Sequence, residues 1–204
     1  MAERKPRKDA ARNREALLAA ADALFARSGS PEGVTMAEVA AEAGVGKGSL
    51  FRAFGDRPGL LRALYEARLE PVREAIASGP PPLGPGTPPH QRVPALLDAV
   101  LCFKLDNRRL ALALEESGSG SSPYQAEHYE RWHGLLQGVL EQIPGREADS
   151  CFTAHALLAA TRADLVEHLA GPGRVPRARM RAQLADFTAR VLSPGPPQEP
   201  AAGD

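Results

Sequence analysis

The sequence predicts an all-α protein in which a small three-helix N-terminal domain precedes a larger helical one. Three observations lead there. Convincing alternating runs rich in Val, Ile or Thr are missing, so the strand signal is weak. Ala, Leu, Arg and Glu recur instead at helical spacing. Proline and glycine, 19 of each, are concentrated in a few breaks that separate the helical stretches.

The largest break is Ser78-Gly79-Pro80-Pro81-Pro82-Leu83-Gly84-Pro85-Gly86-Thr87-Pro88-Pro89, which neither helix nor sheet tolerates. Residues 117–123 and 171–176 read as two further loops, and 194–204 as a disordered tail. Between the breaks the pattern predicts helices near 12–28, 36–43, 47–54, 57–77, 91–105, 108–116, 124–142, 146–170 and 177–192. In the first of these, Leu17, Ala21, Leu24 and Phe25 share one face.

Composition narrows the class further. Hydrophobic residues make up 43% and charged residues 25%, the balance of a globular protein that can bury a core. Net charge is zero, yet residues 1–14 hold six basic side chains (Arg4, Lys5, Arg7, Lys8, Arg12, Arg14) against two acidic ones. A basic head on a near-neutral body implies an anionic partner at one end. The two cysteines, Cys102 and Cys151, are expected to be buried thiols in a reducing compartment. No signal peptide or apolar span is expected, which implies a cytoplasmic protein with no membrane partner.

Residues 34–61 carry the clearest local signal. Thr35-Met36-Ala37-Glu38 has the form of a capping box, with Val34 and Val39 at the positions of a hydrophobic staple. Met36, Val39, Ala40 and Ala43 form an apolar face, and Gly44 is free to take positive φ and stop that helix. Leu50 and Phe54 then face inward from a second short helix. Two short helices about a tight glycine turn make a helix-turn-helix, which puts the start of its second helix into the DNA major groove.

The run Thr35-x3-Val39-Ala40-x2-Ala43-Gly44-Val45-Gly46-Lys47-Gly48-Ser49-Leu50-Phe51-x2-Phe54-x-Asp56-Arg57-x2-Leu60 resembles the signature of TetR-family repressors. The resemblance extends from Arg12 to about Leu69. It implies a disordered basic arm at 1–11, a DNA-binding domain at 12–57, and a sensor and dimerisation domain at 58–193. It also implies DNA contacts from Thr35, Gly46, Lys47, Gly48, Ser49, Phe51, Arg52 and Arg57. Lys47 would donate to guanine, and Gly48 would allow close backbone approach. Phe51 stands where the family usually has a phosphate-binding tyrosine, so there only packing is expected. Arg57 takes the place of a phosphate-binding lysine, and Gly46 that of a serine N-cap.

For the remainder, the resemblance implies a homodimer through the last two helices and a pocket enclosed by the middle ones. Phe103, Tyr129, Trp132, Phe152 and Arg162 are the candidates to line it, around a mostly apolar small molecule. The helix at 146–170 has two apolar stripes, Cys151, His155, Leu158, Leu165 and Leu169 on one side and Phe152, Ala156, Ala159, Ala163 and Val166 on the other, one expected to meet its own core and the other a partner. The last helix is expected to supply Met180, Leu184, Phe187 and Val191 to the dimer seam, with Ala182, Ala185 and Ala189 allowing close approach. Enzymatic chemistry is not expected: Gly118-Ser119-Gly120-Ser121 lacks the preceding strand of a nucleophile elbow. Cys151 and His155 have metal-ligand spacing, but no third ligand is recognisable, so no metal or other cofactor is expected. The function implied is a repressor released from a palindromic DNA operator by an unknown small-molecule effector. A constitutive DNA binder is the alternative, and an all-α carrier or enzyme the remoter one.

Overall fold

A computed structural model describes residues 4–29, 33–117, 127–171 and 174–193 of the chain. Among these residues there are ten helices and no strand. They are α1 (Arg4–Ser28), α2 (Met36–Glu42), α3 (Lys47–Phe54), α4 (Arg57–Ser78), α5 (Pro89–Asp106), α6 (Arg108–Ser117), α7 (Glu127–Leu140), α8 (Ser150–Ala159), α9 (Ala163–Ala170) and α10 (Arg177–Leu192). No helix among the described residues is long and apolar enough to cross a membrane. The loop expected at 117–123 lies, from residue 118 on, outside the described residues, as does the tail expected at 194–204.

Two apolar cores organise the chain. The first gathers Leu17, Ala21, Phe25, Val39, Leu50, Leu60, Leu64 and Tyr65 from α1 to α4, and reaches Phe103 and Leu110 beyond them. The second joins Val93, Leu97, Leu136, Leu140, Leu157, Val166, Met180 and Leu184 from the later helices. Long α4 belongs to both, with Leu60 and Leu64 in the first and Ile76 in the second. Trp132 on α7 packs against both cores.

The structure corrects several expectations. Helix α1 begins at Arg4 rather than near residue 12, so the segment expected to be an unstructured arm is helical from there on. Its Arg, Lys and Ala residues are good helix formers, and Pro6 falls in the first turn, where a missing amide hydrogen costs little. The expected single helix at 146–170 is two helices, broken at Ala160-Thr161-Arg162. No proline or glycine marks that break. A carboxylate from another helix does: Glu115 of α6 accepts from the Ala163 amide at 3.0 and 3.1 Å, which satisfies a donor at the start of α9. Thr161 completes the turn by donating its hydroxyl to the Leu158 carbonyl at 2.9 Å.

The cysteines are not buried: Cys102 is intermediate and Cys151 exposed. The seam expected on the last helix also changes. Met180 and Leu184 face the core of their own chain, and Phe187 packs beside them. The outward face of α10 carries Ala182, Ala185 and Ala189 instead.

Leu50 is fully buried where α3 meets the first core. Leu50→Ala is expected to lower stability by about 2–5 kcal/mol, as truncation of a well-packed leucine does. Thermal or urea unfolding followed by circular dichroism checks this, and a loss below about 1 kcal/mol, smaller than buried Leu-to-Ala truncations give, would contradict the packing described.

Candidate nucleic-acid interface

The face built by α2 and α3 begins with a cap. The Thr35 amide donates to Glu38 Oε2 at 2.7 Å, and the Glu38 amide donates to Thr35 Oγ1 at 3.2 Å. This is the reciprocal capping box its sequence predicts. Val34 and Val39 are both buried beneath it, as a hydrophobic staple requires. The far end of α2 closes in a Schellman turn: Val45 donates to Ala40 and Gly44 to Ala41. Gly44 sits at φ +64°, a conformation in which an L side chain is strained.

Helix α3 then starts at Gly46, whose backbone is extended and which provides no side-chain cap. The amides of Lys47 and Gly48, both exposed residues, therefore have no capping side chain from Gly46, while the Ser49 amide donates to the Gly46 carbonyl at 2.8 Å. A Cβ added at Gly46 or Gly48 would meet nothing within 4 Å. Neither residue has positive φ, so the protein's own packing does not require glycine at either position. One turn on, Arg52 donates to Ser49 Oγ at 3.1 Å, and Phe51 is 50% exposed. Thr35, Gly46, Lys47, Gly48, Phe51 and Arg52 are all exposed, and Ser49 is partly so.

Arg57, at the start of α4, is half-buried and donates to the Val34 carbonyl. It thus ties α4 to the turn before α2, a role its position in the sequence does not reveal. A second anchor also goes unmarked in the sequence, where Arg14 reads as one more cation of the basic head. Its guanidinium donates to the Ala53 carbonyl at 2.9 Å and lies 4.5 Å from the Phe54 ring centroid. That cation–π and hydrogen-bond pair holds the end of α3 onto α1. Gly55 (φ +77°) and Asp56, which accepts from the Gly59 amide at 2.8 Å, turn the chain into α4.

The five residues expected to line a pocket differ in their surroundings. Phe103 is buried and packs edge-on against Tyr65, with ring centroids 4.9 Å apart. Phe152 is 77% exposed on the outer side of α8, so it cannot serve as a pocket wall. Arg162 pairs at the surface with Asp164 at 2.8 Å and lies 3.8 Å from Glu115. Tyr129 hydrogen-bonds His155, and Trp132 fills space between the two cores. An open cleft of about 750 Å³ lies elsewhere, between α1 and the ends of α5 and α9, with Phe25, Arg68, Asn107, Arg108 and Glu167 in its walls. Arg68 crosses it, donating to Asp22 of α1 at 2.6 Å and to Asn107 at 2.7 Å.

The described chain thus has a small helical head bearing a helix-turn-helix, set on an all-helical body. The family model described as bacterial regulatory proteins, tetR family, matches residues 17–64. An HTH-type transcriptional regulator of Staphylococcus aureus (strain USA300) is 28% identical over 131 residues, covering 61% of this chain and 65% of that relative. The matched stretch thus spans a little under two thirds of the relative's length. A TetR-like transcriptional regulator from Rhodococcus sp. RHA1 has the same fold, with TM-score 0.57 and 23% identity over 88% of this chain and 95% of its own. A second Rhodococcus regulator gives TM-score 0.63 at 21% identity, over 88% and 95%. Residues 17–64 of the chain are thus similar to the N-terminal domain of tetR-family regulatory proteins.

Removing the Thr35 hydroxyl by Thr35→Ala is expected to cost about 1 kcal/mol of stability, the usual worth of an N-cap. The Thr35 amide, and then its hydroxyl, hold the Glu38 carboxyl below its ordinary value of 4.5. A lowered carboxylate stabilises the fold above the ordinary value, and that contribution is lost as pH falls through the lowered one. Glu38→Gln is therefore expected to flatten the acid limb of the stability profile below about pH 5. An unchanged acid limb would show that the box does not hold the carboxylate.

Proposed function

We propose that the protein is a sequence-specific DNA-binding transcriptional regulator, a repressor that a small molecule releases from a palindromic operator. The observation that carries this reading is the start of α3. Exposed Lys47 is flanked by two glycines that internal packing does not require. The Lys47 and Gly48 amides, without a side-chain cap at the start of the helix, would attract phosphate oxygens, and the missing side chain at Gly48 leaves room for a base edge or backbone to approach. Arg52, and Arg57 at the start of α4, add positive charge around them, suited to the phosphates on either side of a groove. Phe51 has no hydroxyl to donate to phosphate, so it contributes contact area only.

One short helix reads too few base pairs for specificity, so the reading requires two heads, about 34 Å apart, on one duplex. The outward face of α8, with Phe152, Ala156 and Ala159, and that of α10, with Ala182, Ala185 and Ala189, suit a symmetric seam. An exposed phenyl beside small residues packs well against its own symmetry mate. The effector would enter the cleft beside Arg68. There it would bear on the Asp22–Arg68–Asn107 link between α1 and the body and change the setting of the heads.

Lys47→Ala is expected to cost about 1–3 kcal/mol of operator binding and to relax preference at one position of each half-site. Arg57→Ala is expected to weaken all sequences alike and to flatten the salt dependence. Binding to a panel of operator variants at several salt concentrations separates the two, and uniform loss in both mutants would remove Lys47 from base reading. Phe152→Asp leaves the core untouched and is expected to convert the dimer to monomer in analytical ultracentrifugation. A variant that sediments unchanged would place the seam elsewhere.

A further inference from the structure

Away from the DNA-reading face, α7 and α8 bring together three side chains that have no part in the function proposed above. The ligand atoms of His133, Cys151 and His155 all lie within 4.8 Å of one another. The Cys151 thiol is 3.9 Å from His133 Nε2, and the two imidazole rings stack with centroids 3.9 Å apart. Cys151 and His155 are one turn apart on α8, and the bend between α7 and α8 delivers His133 as the third group. The geometry points to a site for a thiophilic divalent cation, zinc being the type, held by His133, Cys151 and His155.

The distances fit such an ion. Zinc bonds of about 2.0–2.1 Å to nitrogen and 2.3 Å to sulfur put neighbouring tetrahedral ligands roughly 3.3–3.6 Å apart. Closing the existing cluster onto an ion therefore takes side-chain shifts of roughly an ångström or less, with no movement of the helices. The donor set of one sulfur and two imidazoles favours zinc-like ions over magnesium or calcium, which take oxygen. Cys151 is exposed and both histidines are partly so, which leaves a route in and a fourth position for water.

The surroundings add support. Tyr129 places its hydroxyl 2.6 Å from His155 Nδ1. A cation on Nε2 would leave Nδ1–H to donate to that hydroxyl, an outer contact that orients a ligating ring. His133 Nε2 lies 3.1 Å from the Cys151 carbonyl oxygen, and coordination would exchange that hydrogen bond for a bond to the ion.

Cobalt(II) is the direct probe. The reduced full-length protein, stripped with a chelator, is titrated with cobalt and followed by absorption, and zinc affinity is then measured by competition with a chromophoric chelator. The expected result is one cobalt per chain with a thiolate-to-cobalt charge-transfer band, displaced by zinc. Cys151→Ser is expected to abolish the band and weaken zinc at least about 100-fold, and Tyr129→Phe to weaken it about 10–100-fold. Circular dichroism of each variant confirms that it is folded, and no DNA is needed, so the outcome is independent of the regulatory reading. Absence of the band, or zinc affinity unchanged in Cys151→Ser, would overturn the site.

Discussion

An isolated helix of eight residues does not persist in water, because too few hydrogen bonds repay its nucleation. Helix α3, Lys47–Phe54, is that short, so its existence and its aim both depend on what lies beneath it. Leu50 is the central contact, fully buried against the first core. The Schellman turn at Gly44 sets where α3 begins, and Arg14, bonded to Ala53 and lying over Phe54, sets where it ends. With the inner side fixed at three points, the outer side can be left to Lys47, Gly48, Phe51 and Arg52, which give the fold little.

The same logic extends into the body. Helix α4 is shared by both cores, so a shift of the later helices is felt at the head. Polar contacts refine that coupling. Arg68 joins α1 to the end of α5, where Asn107 also donates to the Phe103 carbonyl at 2.9 Å. Arg108 holds Glu167 through two bonds at 2.8 and 2.9 Å, which ties α6 to α9 across the same cleft. Burial of the apolar cores sets the stability, while these partly exposed ion pairs add little energy and mainly fix geometry.

Much of this was legible in the sequence where the cause is local. The capping box at Thr35, the staple of Val34 and Val39, the turn at Gly44 and the inward Leu50 are all decided within a few residues, and the structure has each of them. What the sequence hid depends on long-range contact. No local pattern announces that Glu115 will cap α9 and break the helix at Thr161. The seam expected from Met180 and Leu184 failed because one apolar stripe fits equally well against a neighbour in the same chain or against a second copy. Phe152 read as a pocket residue because it is an aromatic of the middle helices, yet its position on α8 leaves it exposed. Cys151 and His155 showed half of a ligand set, and only the packing of α7 on α8 brings His133 beside them.

Selection of bound fragments from a random DNA pool by the full-length protein tests the central claim most directly, that the fixed face of α3 reads sequence in duplicate. The account predicts enrichment of a palindrome whose half-sites lie about one helical turn apart, or a whole multiple of it. Retention of DNA without enrichment of any sequence, or of a single unrepeated half-site, would contradict it.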